Sequence, residues 1–308
     1  MKKIDENVAL FTSRCVKELK ANREYSTAAH YESTLRSVLS FKQGEELYFS
    51  NITRKFIYEY NSYLAEKGLQ WNTISFYNRV LRAICNKAYK KGLKISVDAF
   101  EGAYTKVAGT KKRAVSAGII IKLMKLEFGE RKDLEFARDM FLFSFATQGM
   151  TFVDIAYLRS QDVTGDIIRY RRKKTGQSIE VVIEPIAREI ISKYGNYHRN
   201  YLFPILSGNS IERLYKQYRS KLTLYNHNLK IIGRMAGLRK ELTSYVSRHS
   251  WATAALKNHV PVSVISQALG HSSERTTLIY LSRLQTSEVA RANRKILGNL
   301  YRVNTGLH

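Results

Sequence analysis

The chain has 308 residues, with 51 Lys and Arg against 26 Asp and Glu, a formal charge of +25 and a pI near 10.0. A hydrophobic share of 44%, 25% charged residues and only three prolines exclude a disordered or collagen-like chain, and the length suits two domains better than one core. Cys15 and Cys85 stand far apart, so neither a disulfide framework nor a cysteine zinc site is expected, and no apolar run forms a signal peptide or is long enough for a membrane span.

From Asn7 to about Lys91 apolar residues recur every three or four positions, which predicts four helices: Asn7 to Ala21, Ser26 to Phe41, Thr53 to Lys67 and Asn72 to Lys90. Thr27, Thr53 and Asn72 are the expected N-caps, and Gly68 and Gly92 the expected terminators. The periodicity stops between Glu101 and Arg113, a stretch with two glycines that closes on Lys111, Lys112 and Arg113. This reads as a basic linker able to follow a phosphate backbone. The expected division is a helical domain over residues 1–103, a linker over 104–113 and a second domain over 114–308.

In the second domain, Val115 to Glu127 and Asp133 to Thr147 are predicted helices, capped by Ser116 and Asp133, with Gly149 stopping the second. Asp166 to Lys174 and Ser178 to Ile183 are rich in β-formers and flank K-T-G-Q, which reads as a hairpin. Helices are expected from Pro185, over Ile211 to Tyr225, Asn228 to Ala236, Ser244 to Lys257, Val262 to Leu269, and Ser287 to Leu300. The fold class is therefore mainly α with a small β-sheet.

The basic excess is shared between the halves, ten up to Arg113 and fifteen beyond it. A polyanion touched by both domains fits that distribution better than a basic tail on a neutral enzyme. The last quarter of the chain carries the chemistry: T-S-Y-V-S-R-H-S-W-A-T from Thr243 to Thr253, Q-A-L-G-H-S-S from Gln267 to Ser273, and T-T-L-I-Y ending at Tyr280. One tyrosine among 20 means little by itself; its place nine residues after His271, behind Arg248, is what singles it out.

In this order and spacing the chain resembles the phage integrase, or tyrosine recombinase, family. The resemblance extends upstream to G-M-T-F-V-D-I-A-Y-L-R from Gly149 to Arg159 and to K-K-T-G-Q, and so covers the whole second domain. It implies a helical core-binding domain and a catalytic domain forming a C-shaped clamp on double-stranded DNA. It also implies strand exchange without metal or nucleotide cofactor, by four protomers on two sites, in a bacterial cytoplasm. Tyr280 would be the nucleophile, forming a 3′-phosphotyrosyl link. A phenol suits a reversible transfer, since its ordinary pKa near 10 lets the phenolate leave again. Arg248 would stabilise charge on the non-bridging oxygens, His271 would hydrogen-bond the phosphate, and Lys174, or its neighbour Lys173, would protonate the departing 5′ oxygen. His249 lies about 100° round the helix from Arg248 and is expected to play a supporting part.

Two positions depart from the family pattern. Tyr245 stands where a histidine is usual, and a phenol there is a better hydrogen-bond donor than base. Thr151 stands where the first arginine is usual. Arg172, two residues before Lys174 and therefore on the same strand face, is the expected substitute, with Arg159 and Arg138 behind it. Asp154 could brace a catalytic residue or simply face its helix dipole. The segment looks like a variant branch found among mobile-element integrases and DNA invertases, and the lack of a further domain before Asn7 points toward a simple invertase. An accessory DNA-binding protein that lost catalysis, and a type IB topoisomerase, are the alternatives.

Overall fold

The computed structural model describes residues 6–96, 98–106, 114–195, 200–271, 273–274 and 277–278. Lys111, Lys112, Arg113, Tyr280 and the expected helix from Ser287 to Leu300 lie outside the described residues. The chain divides into two compact units, residues 1–110 and 111–308. Among the described residues no helix is long and apolar enough to cross a membrane.

The first unit is built from α1 (Val8–Ala21), α2 (Tyr25–Phe41), α3 (Arg54–Glu66) and α4 (Trp71–Lys90). Its core joins Val8, Phe11 and Cys15 of α1 to Ile57, Tyr60 and Leu64 of α3 and to Ile74, Leu81 and Ile84 of α4. Two expected caps are corrected. Thr27 and Asn72 lie inside their helices, and the N-cap positions belong to Glu24 and Gln70, neither of which makes a side-chain cap hydrogen bond. Packing of the apolar faces, rather than capping, sets those two starts. Tyr104, in the expected linker, packs its ring 5.1 Å from that of Trp71, and its carbonyl accepts from Asn78 Nδ2 at 3.0 Å.

The second unit is organised around α6 (Lys132–Ala146), which buries Leu134, Ala137, Met140, Phe141, Leu142 and Phe143 and so is covered on most sides. Against it pack α8 (Pro185–Tyr194), α9 (Ile211–Met235) and α10 (Ser244–Lys257), with α5 (Ala117–Met124) and the short α7 (Phe152–Tyr157) alongside. The N-cap of α6 is Arg131, not Asp133, which sits in the first turn and pairs with Arg131 Nε at 2.8 Å. The expected break between Tyr225 and Asn228 is also corrected, because α9 runs unbroken for 25 residues. The two asparagines at the expected break are tied to other elements: Asn226 Oδ1 accepts from the Ser244 amide at 2.9 Å, and Asn228 Nδ2 donates to Asp133 O at 3.2 Å.

The sheet is antiparallel in the order β1 (Val163–Thr164), β2 (Ile167–Arg171), β3 (Ser178–Val182). Ile168 and Tyr170 face inward opposite Val181 and Ile179, while Arg169 faces outward and pairs with Glu180 at 2.6 Å. This period of two carries the next inward position to Arg172. Phe143, fully buried, meets the Phe203 ring edge-on at 4.9 Å. We expect Phe143→Ala to cost about 3–5 kcal/mol, read from urea unfolding followed by circular dichroism.

Candidate active site

Two buried arginines from different elements meet at one carbonyl. Arg248, on α10, is 2% exposed; its Nη1 donates to Gly149 O at 2.8 Å and its Nη2 to Leu269 O. Arg172, just past the end of β2, is 5% exposed; its Nη1 donates to the same Leu269 O at 2.9 Å and to Gly270 O at 2.7 Å. A buried cation is tolerable only when its donors are met, and here backbone carbonyls meet them in large part. The positive charge is therefore retained in a site largely removed from water.

Local backbone geometry makes those carbonyls available. Gly270 closes α11 (Val262–Ala268) with φ +60, its amide donating to Gln267 O and that of His271 to Ser266 O. This left-handed C-terminal turn swings the carbonyls of Leu269 and Gly270 toward Arg172. A Cβ on Gly270 would lie 2.5 Å from Arg172 Cδ, so the arginine stem passes directly over the glycine.

Asp154 is buried and serves three partners. Its Oδ1 accepts from the Lys173 amide at 2.8 Å, its Oδ2 accepts from the Thr151 hydroxyl at 2.6 Å, and Oδ2 faces Arg172 Nε at 3.7 Å. Of the two readings left open by the sequence, the bracing one describes these contacts. Asp154 ties α7 to the hairpin and gives Arg172 a counter-charge.

The hairpin itself closes through the Arg172 amide on Gln177 O at 2.9 Å and the Gly176 amide on Arg172 O at 2.8 Å, with Gly176 at φ +70. Strand alternation thus ends at Arg172, and both lysines sit in the turn, so the expectation that Arg172 and Lys174 share a strand face is corrected. They part in another way. Lys173 lays its ammonium 4.2 Å from the centroid of the Tyr157 ring, beside a polar cavity of about 530 Å³ that Arg159 also lines. Burial there, then the nearby Arg159 charge, lowers the Lys173 pKa. Lys174 instead is one of the cations whose field reaches His271.

His271 is half-buried, with Nε2 at 3.1 Å from Arg248 Nη2 and Nδ1 at 2.8 Å from Thr277 Oγ1. Burial, followed by the charges of Arg248, Arg172 and Lys174, pushes its pKa down to about 4. It is therefore neutral at pH 7. Beneath the cluster, burial and the Asp154 charge raise the Tyr170 pKa, so this phenol stays protonated.

The structure brings Arg172, Arg248 and His271 together, with Lys174 among the charges that depress the imidazole pKa. Tyr245 lies in the first turn of α10, 42% exposed, with its ring 5.3 Å from that of His249. Arg138 is engaged elsewhere, with Asp139 Oδ1 at 2.5 Å and the carbonyls of Met124 and Leu126. Arg159 lies at the cavity beside Lys173. The sequence reading missed Thr277 and the carbonyls of Gly149, Leu269 and Gly270. Backbone acceptors leave no trace in side-chain identity; Thr277 was visible only as part of the string leading to Tyr280. Among the described residues no group of three or more His, Cys, Asp or Glu could hold a metal ion.

The chain is similar to known proteins in both sequence and fold. A phage integrase SAM-like domain matches residues 7–105, and the phage integrase family matches residues 130–286. Tyrosine recombinase XerA of Pyrococcus furiosus is 26% identical over 226 residues, 71% of this chain and 73% of that one. Tyrosine recombinase XerC of Rickettsia canadensis is 24% identical over 278 residues, 85% of this chain and 88% of that one. The match to tyrosine recombinase XerD of Pseudomonas putida, 28% identical over 108 residues, spans 34% of this chain and 36% of that protein.

In fold, the Tn1549 transposon integrase in complex with transposon right end DNA superposes with a TM-score of 0.67 at 14% identity, covering 95% of this chain and 100% of that one. A lambda integrase dimer bound to a core site gives 0.67 at 14% identity, covering 91% and 97%. The family match takes in more than half of the chain, including Thr151, Asp154 and both buried arginines with their shared carbonyl, and the chain belongs to the phage integrase family of tyrosine recombinases.

Proposed function

We propose that the chain is a site-specific DNA recombinase that cuts and rejoins double-stranded DNA through a 3′-phosphotyrosyl link at Tyr280. The observation that carries this reading is the convergence of Arg172 and Arg248 on Leu269 O beside a neutral His271. A phosphoryl centre attacked by a phenol gathers negative charge on its non-bridging oxygens, and two preorganised guanidiniums in a low-dielectric site stabilise that charge far better than water can. Arg248 fills the role of the family's second arginine. Arg172 supplies the charge that Thr151 does not.

Lys174 is assigned the proton for the departing 5′ oxygen, because it matches the family's hairpin lysine while Lys173 is turned onto Tyr157. Tyr245, exposed at the start of α10, donates a hydrogen bond to the phosphate region rather than moving a proton. The basic excess of both halves, and Lys111, Lys112 and Arg113 between them, engages the DNA backbone. Four protomers on two sites, acting in DNA inversion or in integration and excision of a mobile element in the bacterial cytoplasm, complete the reading.

The test is capture of the intermediate. Purified protein is incubated with a library of nicked duplexes cut from its own genome, and covalent protein–DNA adducts are isolated under denaturing conditions. We expect adducts at a small set of sites, a free 5′-hydroxyl on the released strand, and a digested peptide carrying the nucleotide on Tyr280. Specific binding with no adduct at any bound site would instead support a DNA-binding accessory protein. Adducts spread without site preference would support a topoisomerase.

A further inference from the structure

The contacts of His271 fix where its proton sits. A guanidinium has donors and no acceptor, so in the 3.1 Å contact with Arg248 Nη2 the His271 Nε2 is the acceptor. A neutral imidazole then carries its hydrogen on Nδ1. That atom lies 2.8 Å from Thr277 Oγ1, to which it donates. Thr277 is itself fully buried, and it stands three residues before Tyr280 in the chain. Among the described residues the charged groups that act on the ring are cations: Arg248 from α10, and Arg172 and Lys174 from the hairpin. Burial first, and then these charges, keep the imidazole neutral, and an acceptor on Nδ1 favours the same tautomer that the Arg248 contact requires.

We propose that Thr277 is a positioning residue for strand cleavage: by accepting from His271 Nδ1 it holds the tautomer whose Nε2 accepts from Arg248, and so links the segment leading to Tyr280 with the arginine that meets the phosphate. The proposal rests on the reading of Arg248 as a group that acts on the scissile phosphate; with both ring nitrogens engaged, His271 acts through Arg248 rather than by a hydrogen bond of its own to the phosphate. Without the threonine hydroxyl, the Nε2–H tautomer becomes accessible. It would point a hydrogen at the guanidinium, which has nothing to accept it, and Arg248 would lose one of the contacts that aim it.

The experiment has a spectroscopic arm and a kinetic arm. In the full chain with ring-¹⁵N histidine, the signals of His271 among the seven histidines are assigned by their loss in His271→Gln. Wild type and Thr277→Ser are expected to show the Nδ1–H tautomer, and Thr277→Val, close in shape but with no acceptor, a mixture containing Nε2–H. If Thr277→Val does not fold, Thr277→Ala takes its place with the same expectation. On a nicked substrate at saturating DNA, Thr277→Val is expected to form the covalent adduct about tenfold more slowly with unchanged DNA affinity, and Thr277→Ser to stay within about threefold of wild type. Retention of the Nδ1–H tautomer in Thr277→Val, or equal slowing by Val and Ser, overturns the proposal. If wild type forms no adduct on any DNA, the recombinase reading falls and the tautomer measurement alone decides the role of Thr277.

Discussion

Arg172→Ala is expected to slow covalent adduct formation by about 100-fold or more at saturating DNA, the scale of losing one preorganised charge contact in a transition state. The argument begins with the strand. Ile168 and Tyr170 face the core, and the same alternation buries Arg172. Its Nη1 shares Leu269 O with Arg248, and its Nε faces Asp154. An arginine held only for stability would leave cleavage untouched once the folded fraction is corrected for, so the measurement pairs adduct kinetics with near-ultraviolet circular dichroism. Arg172→Lys keeps the charge but not the planar fork, and is expected to recover part of the rate. Adding Thr151→Arg to Arg172→Ala should also recover part, because it returns a guanidinium to the place where the family usually carries one. Cleavage by Arg172→Ala within about threefold of wild type would remove Arg172 from the site and return the missing charge to another residue.

The order of the candidate site residues could be read from the sequence because each sits near a recognisable local feature: Lys174 in a turn, Arg248 inside a helix begun at Ser244, His271 just after a glycine that ends a helix. Arg172 was singled out for a reason that held only in part. Strand alternation does point it inward, but the chain turns before Lys174, so Lys174 is placed by the turn and not by the strand. What stayed hidden follows from the same physics. Asn226 and Asn228 lie at the expected break in α9, and asparagine favours caps and turns. In α9 their amides are instead satisfied by Leu222 O and Asp133 O, and by the Ser244 amide. Thr27, Asn72 and Asp133 looked like caps by residue type, yet each lies inside its helix, where burial of one face sets the boundary. Asp154 could not be assigned until its three partners, from two elements, were seen around one carboxylate.

Gly149→Ala is expected to damage both fold and cleavage, and a second glycine separates the two causes. Gly149 has φ +76, a region that costs a residue with a Cβ about 1–2 kcal/mol. Its position adds a steric charge of a different kind, since an added Cβ would sit 2.9 Å from Arg248 Cγ and 3.0 Å from Arg248 Cα. The second of these is backbone of α10, so no rotamer change relieves it, and overpacking of this sort adds about 1–3 kcal/mol. Gly149 O is also the acceptor for Arg248 Nη1 at 2.8 Å, so any shift that relieves the clash moves the carbonyl that aims the guanidinium. Gly165 provides the control: it has φ +58 but open space where its Cβ would lie. Gly165→Ala should therefore lower the thermal midpoint through backbone strain alone and leave adduct formation per folded molecule unchanged. Gly149→Ala should lower the midpoint further and reduce adduct formation per folded molecule by about 100-fold, the loss expected when Arg248 is displaced from the phosphate. Equal adduct rates per folded molecule in the two variants would mean that Arg248 does not depend on Gly149 for its aim, and that the close approach of the two residues serves packing only.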